Sequence, residues 1–422
     1  MKKAVPKPQS LLLTNARIVL PGKVIAASLL IKDGHLARIF ESVGKVERAS
    51  STLNLEGYTL LPGFIDVHIH GAVGVDAMEA SADDLHRVAR FLAAHGVTAW
   101  LPTFVPAPDA DYRRATSAVE ELIATQHQRL PAARALGLHY EGPFVNAAQC
   151  GALRTAYFRR FAGASEVDAL PVLHEKSAVH LITVAPEIEG GIELVRELRR
   201  RNWIVSIGHT RASSEVLDEA CEAGARHMTH FPNAMLALHH RAAGPINWGL
   251  LRDDVTCDVI ADGVHCDSSM LRLILKCKGA ERIALISDAV APAGLGDGVY
   301  DVWGEKIKVT DGRTSNSRGS IAGSVIAMDD AVRMMLSLGA SIEETARMAS
   351  LNPARLLGVD KVCGSIETGK RADLVAVDDG GRVRLTIVGG RIAFDATQGS
   401  DPATPQTEHK ADELKADKGI QL

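Results

Sequence analysis

Gly63-Phe64-Ile65-Asp66-Val67-His68-Ile69-His70 carries two signals at once. Gly63 to Val67 is a short apolar run suited to a strand buried on both faces. The residues that close it alternate, so a period of two sets both imidazoles on one side. Seven further runs of this kind follow: Val97 to Leu101, Ala135 to Tyr140, His180 to Val184, Trp203 to Ile207, His227 to Thr229, Val255 to Ile260 and Ile283 to Ile286. Helical periodicity fills the intervals. After the first run Ser81 caps a helix with Asp84 three places on, Leu85, Val88, Ala89 and Leu92 repeat at helical spacing, and Gly96 ends it. Eight alternations of strand and helix predict an α/β fold with a parallel sheet, closed as a (β/α)₈ barrel of the TIM type.

The two chain ends read differently. Leu11 to Leu13, Arg17 to Leu20, Ala27 to Ile31 and Leu36 to Ile39 are short strands with turns between them, Asp33-Gly34 among them. Ala372 to Val377 and Val383 to Ile387 match them near the other end. Residues 1–62 and 361–400 are therefore read as two parts of one small β-sandwich beside the barrel of residues 63–360. Residues 401–422, with Pro402, Pro405 and many charges, lack apolar periodicity and are read as a flexible tail. A chain of 422 residues accommodates this, since single cores stop growing at about 250 to 300 residues.

Charge and composition exclude several classes. A formal net charge of −4 offers no basic field for a nucleic-acid backbone. The basic start, Met1-Lys2-Lys3, is followed by an apolar run of only Leu11-Leu12-Leu13, too short for a secretory signal. No stretch reaches the roughly 18 apolar residues of a membrane span. Cys150, Cys221, Cys257, Cys266, Cys277 and Cys363 form no Cys-x-x-Cys pair and read as reduced thiols of a cytoplasmic protein.

In a barrel of this kind the active site lies where the strands end, so the residues closing each run carry the chemistry. His68 and His70 close the first and Glu141 the third. His209 follows the fifth, His230 the sixth and Asp288 the eighth. Imidazole nitrogens and carboxylate oxygens suit Zn²⁺ and similar ions, and a carboxylate can bridge two of them, so the set points to a two-metal site. A lone histidine at a strand end is more often a hydrogen-bonded structural residue, and an acid after a strand often caps the next helix. Six suitable residues at one end of one barrel favour the metal reading.

These motifs resemble the amidohydrolase superfamily and, within it, the N-acetylglucosamine-6-phosphate deacetylases. The resemblance runs from about Leu61 to Asp378. It rests on Leu61 to Gly71, Glu141-Gly142-Pro143-Phe144, Ala185-Pro186-Glu187, Gly208-His209-Thr210, His230 to Met235, Asp262-Gly263-Val264-His265, Ser287-Asp288-Ala289 and Ala322-Gly323-Ser324. It implies Glu141, His209 and His230 as ligands of a shared metal. Since His68 and His70 are retained, it also implies two ions, Zn²⁺ with Fe²⁺ or Mn²⁺ as alternatives. For substrate it implies Asn233, Ala234, His265 and the loop of Ile321, Ala322 and Gly323. It further implies a homodimer in which Arg241 reaches the phosphate bound by the neighbouring subunit. Arg241 also reads as a surface arginine, His265 as a strand-end histidine, and Asn233 as a turn residue.

Three places depart from the family. Gly-Ala-His is here Gly151-Ala152-Leu153, Arg-Glu-Pro-Gly is Arg241-Ala242-Ala243-Gly244-Pro245, and Phe231-Pro232 alters the loop after His230. All three lie on the expected sugar and phosphate side, formed with Ala152 and Leu153. The expected reaction releases acetate from N-acetyl-D-glucosamine 6-phosphate, with Asp288 as base and then acid, His265 assisting at the acetyl oxygen, and metal ions activating water. The rivals are the same chemistry on another N-acyl compound, favoured by Leu153, and a non-catalytic metal-binding barrel, opposed by the retention of Asp288.

Overall fold

A computed structural model describes residues 10–41 and 49–397. The expected tail at 401–422 and the basic start lie outside the described residues. Eight strands form the expected parallel ring: β1 (Phe64–Ile69), β2 (Val97–Phe104), β3 (Gly137–Glu141), β4 (Val179–Val184), β5 (Ile204–Ile207), β6 (His227–Met228), β7 (Thr256–Ile260) and β8 (Ile283–Ile286). Each pairs in parallel with the next from β1 to β8. Just beyond β8 the ring closes on β1, where Asp288 N donates to His68 O at 2.9 Å and His70 N to Ala289 O at 2.8 Å. Closure thus joins the segment that carries the paired histidines to the one that carries Asp288.

The interior of the ring is apolar away from the site. Ile65, Val67, Leu101, Leu181, Ile260 and Ile286 pack together and are plugged by Ala354 and Leu357 from the end of the barrel region and by Cys363 just beyond it. On β2, β3 and β4 the alternate residues Trp100, Tyr140 and Ile182 pack outward with the buried faces of the helices. Helix α1 (Ala82–Ala94) follows β1 and starts as expected: Ser81 and Asp84 form a reciprocal capping box, and Leu85, Val88, Ala89 and Leu92 are its buried face. Gly96 follows with φ of +82°, a left-handed position that suits glycine.

Both chain ends meet in one eight-stranded sheet. Its order is Arg391–Asp395, Val383–Val388, Leu374–Val377, Thr59–Pro62, Ser10–Leu20, Lys23–Lys32 and His35–Phe40, with Ser51–Asn54 alongside Ser10–Leu20. Thr59–Pro62 runs directly into β1, so the sheet fixes where the first barrel strand begins. It has its own core of Leu13, Leu29, Leu60, Leu374, Leu385 and Ile387.

One element was not anticipated from the sequence. After β8, Gly298–Val302, Glu305–Thr310 and Arg313–Ser315 form a three-stranded antiparallel sheet. Its first turn carries Trp303 at φ of +55°. Among the described residues, no helix is long and apolar enough to cross a membrane.

Candidate active site

The six strand-end residues converge. His68, near the end of β1, and His70, just beyond it, bring their Nε2 atoms to 3.2 Å. His209 Nε2 and His230 Nε2 lie 2.9 and 3.0 Å from Glu141 Oε1 and 3.1 Å from each other. His70 Nε2 is 3.3 Å from Glu141 Oε2, so Glu141 stands between the two histidine pairs. Asp288 Oδ1 lies 3.2 Å from His70 Nε2 and 3.4 Å from His68 Nε2. All six residues are buried.

Backbone geometry explains how residues beyond three strands turn inward. His209, His230 and Asp288 have φ of +47°, +34° and +48°, the left-handed region that non-glycine residues enter only when their surroundings hold them there. Those surroundings are visible. His230 N donates to Asp258 Oδ1, while Asp258 Oδ2 is 3.0 Å from His227 Nε2. Ser287, one residue before Asp288, donates through Oγ to Asp66 Oδ2 at 2.5 Å and through N to Asp66 Oδ1 at 3.3 Å. Burial pushes the Asp66 carboxyl up to about 6 against the Ser287 hydrogen bonds. Sequence reasoning missed these supports, although an acid in the middle of an apolar strand, as in Cys257-Asp258-Val259, is a signal in itself.

A cation fits this arrangement. Nδ1 of His70, His209 and His230 each faces a backbone carbonyl, of Thr103 at 3.2 Å, Gln149 at 2.8 Å and Asn233 at 3.2 Å. Nδ1–H donation to those carbonyls leaves the Nε2 lone pairs facing one another, an arrangement that needs a shared positive charge. Two donor groups, His68, His70 and Glu141, and Glu141, His209 and His230, each hold their ligand atoms within 4.8 Å. Asp288 Oδ1 is buried without a hydrogen-bond partner, an acceptor awaiting a positive group. Burial opposes charge on Glu141, yet the four histidines outweigh it and hold its pKa well below the ordinary value. Burial alone would lower the pKa of His70, but Asp288 and Glu141 beside it raise it to about 10. The cluster therefore demands cationic charge, which a divalent ion supplies.

Beside the ligands is a cavity of about 230 Å³. Of the residues expected to bind substrate, Ala152, Leu153, Asn233, Ala234, His265, Ile321 and Gly323 line it. Ala322 does not; it is buried with Ala291, Val302 and Ile307 behind the wall. Arg241 is exposed on the loop after His230, outside this lining, with its backbone N donating to His239 Nδ1 at 3.2 Å. Asn233 Nδ2 donates to His230 O at 3.0 Å, so the turn role and the cavity role coexist. His265 is oriented by Asp262, whose Oδ2 takes Nδ1–H at 2.7 Å and whose Oδ1 takes the N–H groups of Val264 and His265 at 2.8 Å.

Trp303 completes the wall and was missed. Its ring meets His70 edge to face, with centroids 5.2 Å apart. The signal was present: two alternating runs, Gly298 to Val302 and Glu305 to Thr310, are separated by Trp303-Gly304, and Asp311-Gly312 marks the next turn. Arg318, beyond the third strand of the same sheet, donates through Nη2 to Ala152 O at 3.2 Å and sets a guanidinium at the rim.

Comparison with known proteins bears on the family and the fold. The amidohydrolase family model matches residues 59–393. The chain is 35% identical over 390 residues to the N-acetylglucosamine-6-phosphate deacetylase of Bacillus subtilis (strain 168), covering 92% of this chain and 98% of that one. It is 37% identical over 365 residues to the N-acetylgalactosamine-6-phosphate deacetylase of Escherichia coli O157:H7, covering 86% and 95%. The crystal structure of the N-acetylglucosamine-6-phosphate deacetylase from Pasteurella multocida superposes with a TM-score of 0.82 at 30% identity, covering 91% of this chain and 99% of that one. The family match over residues 59–393, the near full-length similarity and the shared fold lead to one conclusion: the chain belongs to the amidohydrolase family.

Proposed function

We propose that this protein hydrolyses the acetamide of N-acetyl-D-glucosamine 6-phosphate to D-glucosamine 6-phosphate and acetate. One observation carries the reading beyond metal binding. Asp288 Oδ1 is buried without a hydrogen-bond partner beside His68 and His70 and opens on the same cavity as His265. A carboxylate held so is a proton acceptor poised for use, whereas a structural acid would have its lone pairs taken.

His68, His70 and Glu141 would hold one divalent ion, and Glu141, His209 and His230 a second; zinc suits the nitrogen-rich set, with iron or manganese as alternatives. When bound, such ions supply Lewis acidity and make water acidic enough to react near neutral pH. Asp288 Oδ1 takes the proton of the attacking water and delivers it to the amine nitrogen as the amide C–N bond breaks, because an amine leaves poorly as an anion. His265, its Nδ1–H engaged by Asp262, turns its Nε2 edge into the cavity, where it would meet the acetyl group as charge gathers on the acetyl oxygen. Trp303, Ile260, Ile321 and Leu153 give the cavity apolar walls that limit water. Arg241 on its exposed loop would serve the phosphate of a neighbouring subunit in a homodimer. All six cysteines are free, which suits the reducing cytoplasm.

A second substrate reading rests on the Escherichia coli relative named for N-acetylgalactosamine 6-phosphate and on Leu153, an apolar group where the family pattern has an imidazole. Acetate release from the two 6-phosphates and from N-acetylglucosamine, with a chelated control, tests both. Metal-dependent release fastest with the glucosamine ester supports the leading reading. Preference for the galactosamine ester transfers it to the second, and no release from any of the three refutes the amino-sugar assignment.

A further inference from the structure

A second cavity, larger than the first at about 340 Å³, lies where the barrel meets the terminal sheet. It opens between α1, the segment after helix α2 (Asp109–Thr125), and the turn joining Val383–Val388 to Arg391–Asp395. Arg134, Arg371, Arg391, His86 and His127 face it.

Charge is unbalanced here. Asp373 is buried and serves two arginines at once, with Arg134 Nη2 at 3.2 Å from Oδ2 and Arg371 Nε at 3.1 Å from Oδ1, and Gly389 N donates to the same Oδ1 at 2.7 Å. One carboxylate thus offsets two guanidiniums. Among the described residues Arg391 has no acidic partner; its Nη2 reaches Arg129 O at 3.4 Å. Arg129 itself pairs with Asp83. Arg134 Nε is buried without a hydrogen-bond partner. The field is felt by neighbours: burial first, then Arg129 and Arg90, lower the pKa of His86, and burial, opposed by Asp373 and reinforced by Arg134, lowers that of Arg371. Backbone shape admits Arg371: Gly389 has φ of +56°, and a Cβ there would come within 2.2 Å of Arg371 Nη2.

We propose that this cavity is a second anion site that binds a phosphate dianion, free or as the phosphomonoester of a small metabolite. Planar guanidinium donors match phosphate oxygens, three of them converge on a concave wall, and their unmatched charge would be neutralised by a dianion. A monocarboxylate would leave the same donors partly unmet. The walls include Ile123, Pro131 and Val388, which suits a compact ligand with some apolar surface. The site is separate from the metal centre and stands whatever the substrate of that centre.

Scanning calorimetry of the metal-loaded protein in rising potassium phosphate, against potassium chloride of equal ionic strength, tests it. The parent Tm should rise with phosphate beyond the chloride control. Arg391→Gln and Arg391→Glu should weaken apparent phosphate affinity at least about tenfold, the loss of one charge-assisted contact, with kcat and KM for deacetylation unchanged. Arg241→Ala should keep the rise. A rise retained in both Arg391 variants but lost in Arg241→Ala would overturn the proposal by moving phosphate to the metal-side cavity, and no rise in the parent would overturn it outright. Glucosamine 6-phosphate in place of phosphate, read as the part of the rise that Arg391→Glu removes so that binding at the metal centre cancels, separates the sources: an equal lost part assigns recognition to the phosphate group, and a larger one adds the sugar to the ligand.

Discussion

Lys278 closes helix Ser268–Lys278 with its side chain turned inward, and only 1% of the residue is exposed. Its ammonium donates to three backbone carbonyls, Gly249 O at 2.9 Å, Arg252 O at 2.5 Å and Val255 O at 2.7 Å. Gly249 lies in the last turn of helix Pro245–Leu251, where carbonyls lack intrahelical donors, and Val255 immediately precedes β7. Burial, the leading influence, lowers the pKa of Lys278, so its charge is held at some cost. Lys278→Met keeps nearly the same volume, which makes the cavity contribution small. Three carbonyls left without a donor cost about 1 to 2 kcal/mol each, and relief of the buried ammonium returns part of that. A net loss of about 3 kcal/mol is expected. Urea unfolding followed by fluorescence and circular dichroism together, at fixed metal concentration, measures it. Turnover per folded molecule should be retained, because the substitution touches no site residue. A loss below about 1 kcal/mol would refute the claim that these three carbonyls depend on Lys278.

Other outcomes follow from the site and its surroundings. Asp288→Asn should keep metal content while turnover falls about 10² to 10⁴-fold, the range for a lost general base and acid; turnover near normal removes Asp288 from that role. Elemental analysis should find that His68→Asn loses one ion and Glu141→Gln both, since Glu141 belongs to both donor groups, and equal losses would contradict its bridging position. Burial pushes His180 down to about 4, below the ordinary 6.5, and its Nε2 accepts from Leu173 N at 2.9 Å. Protonation sets N–H against N–H, so the unfolded chain takes the proton first. The stabilisation is present above about 6.5 and is lost as pH falls toward 4. His180→Gln should therefore flatten the decline in urea midpoint across that window, and parallel pH profiles would show that His180 does not contribute.

What could be read in the sequence divides along a physical line. The eight barrel runs and the Ser81 cap are local: apolar runs, alternation and capping pairs are written in neighbouring residues, and the strands stand where those signals put them. The convergence of the six candidate residues was legible because one fold rule, function at the strand ends, converts eight local readings into a single three-dimensional cluster. Supports such as Asp66 with Ser287, 221 residues apart, have no such rule, and neither does the pairing of Asp258 with His227. The hairpin that carries Trp303 had local signals but interrupted the strand and helix alternation, and an expectation of regular alternation passes over an insertion.

The same division bears on specificity. Leu153 and Trp303 reach the cavity from opposite kinds of segment, one a loop after β3 and the other a hairpin after β8, and both present apolar surface. Where a family position changes from a donor to a hydrocarbon, the hydroxyl it would have met must find another partner or stay hydrated, and an unmet polar group discriminates strongly. Arg318 at the rim is hydrogen-bonded to Ala152 O, next to Leu153, and stands two residues before Ser320, which lines the cavity. If the substrate is the proposed hexosamine ester, preference among such esters should depend on Leu153 and Trp303, while the candidate metal ligands would set the rate of the bond change. Substitutions at these two positions should shift the ratio of kcat/KM between substrates without altering bound metal.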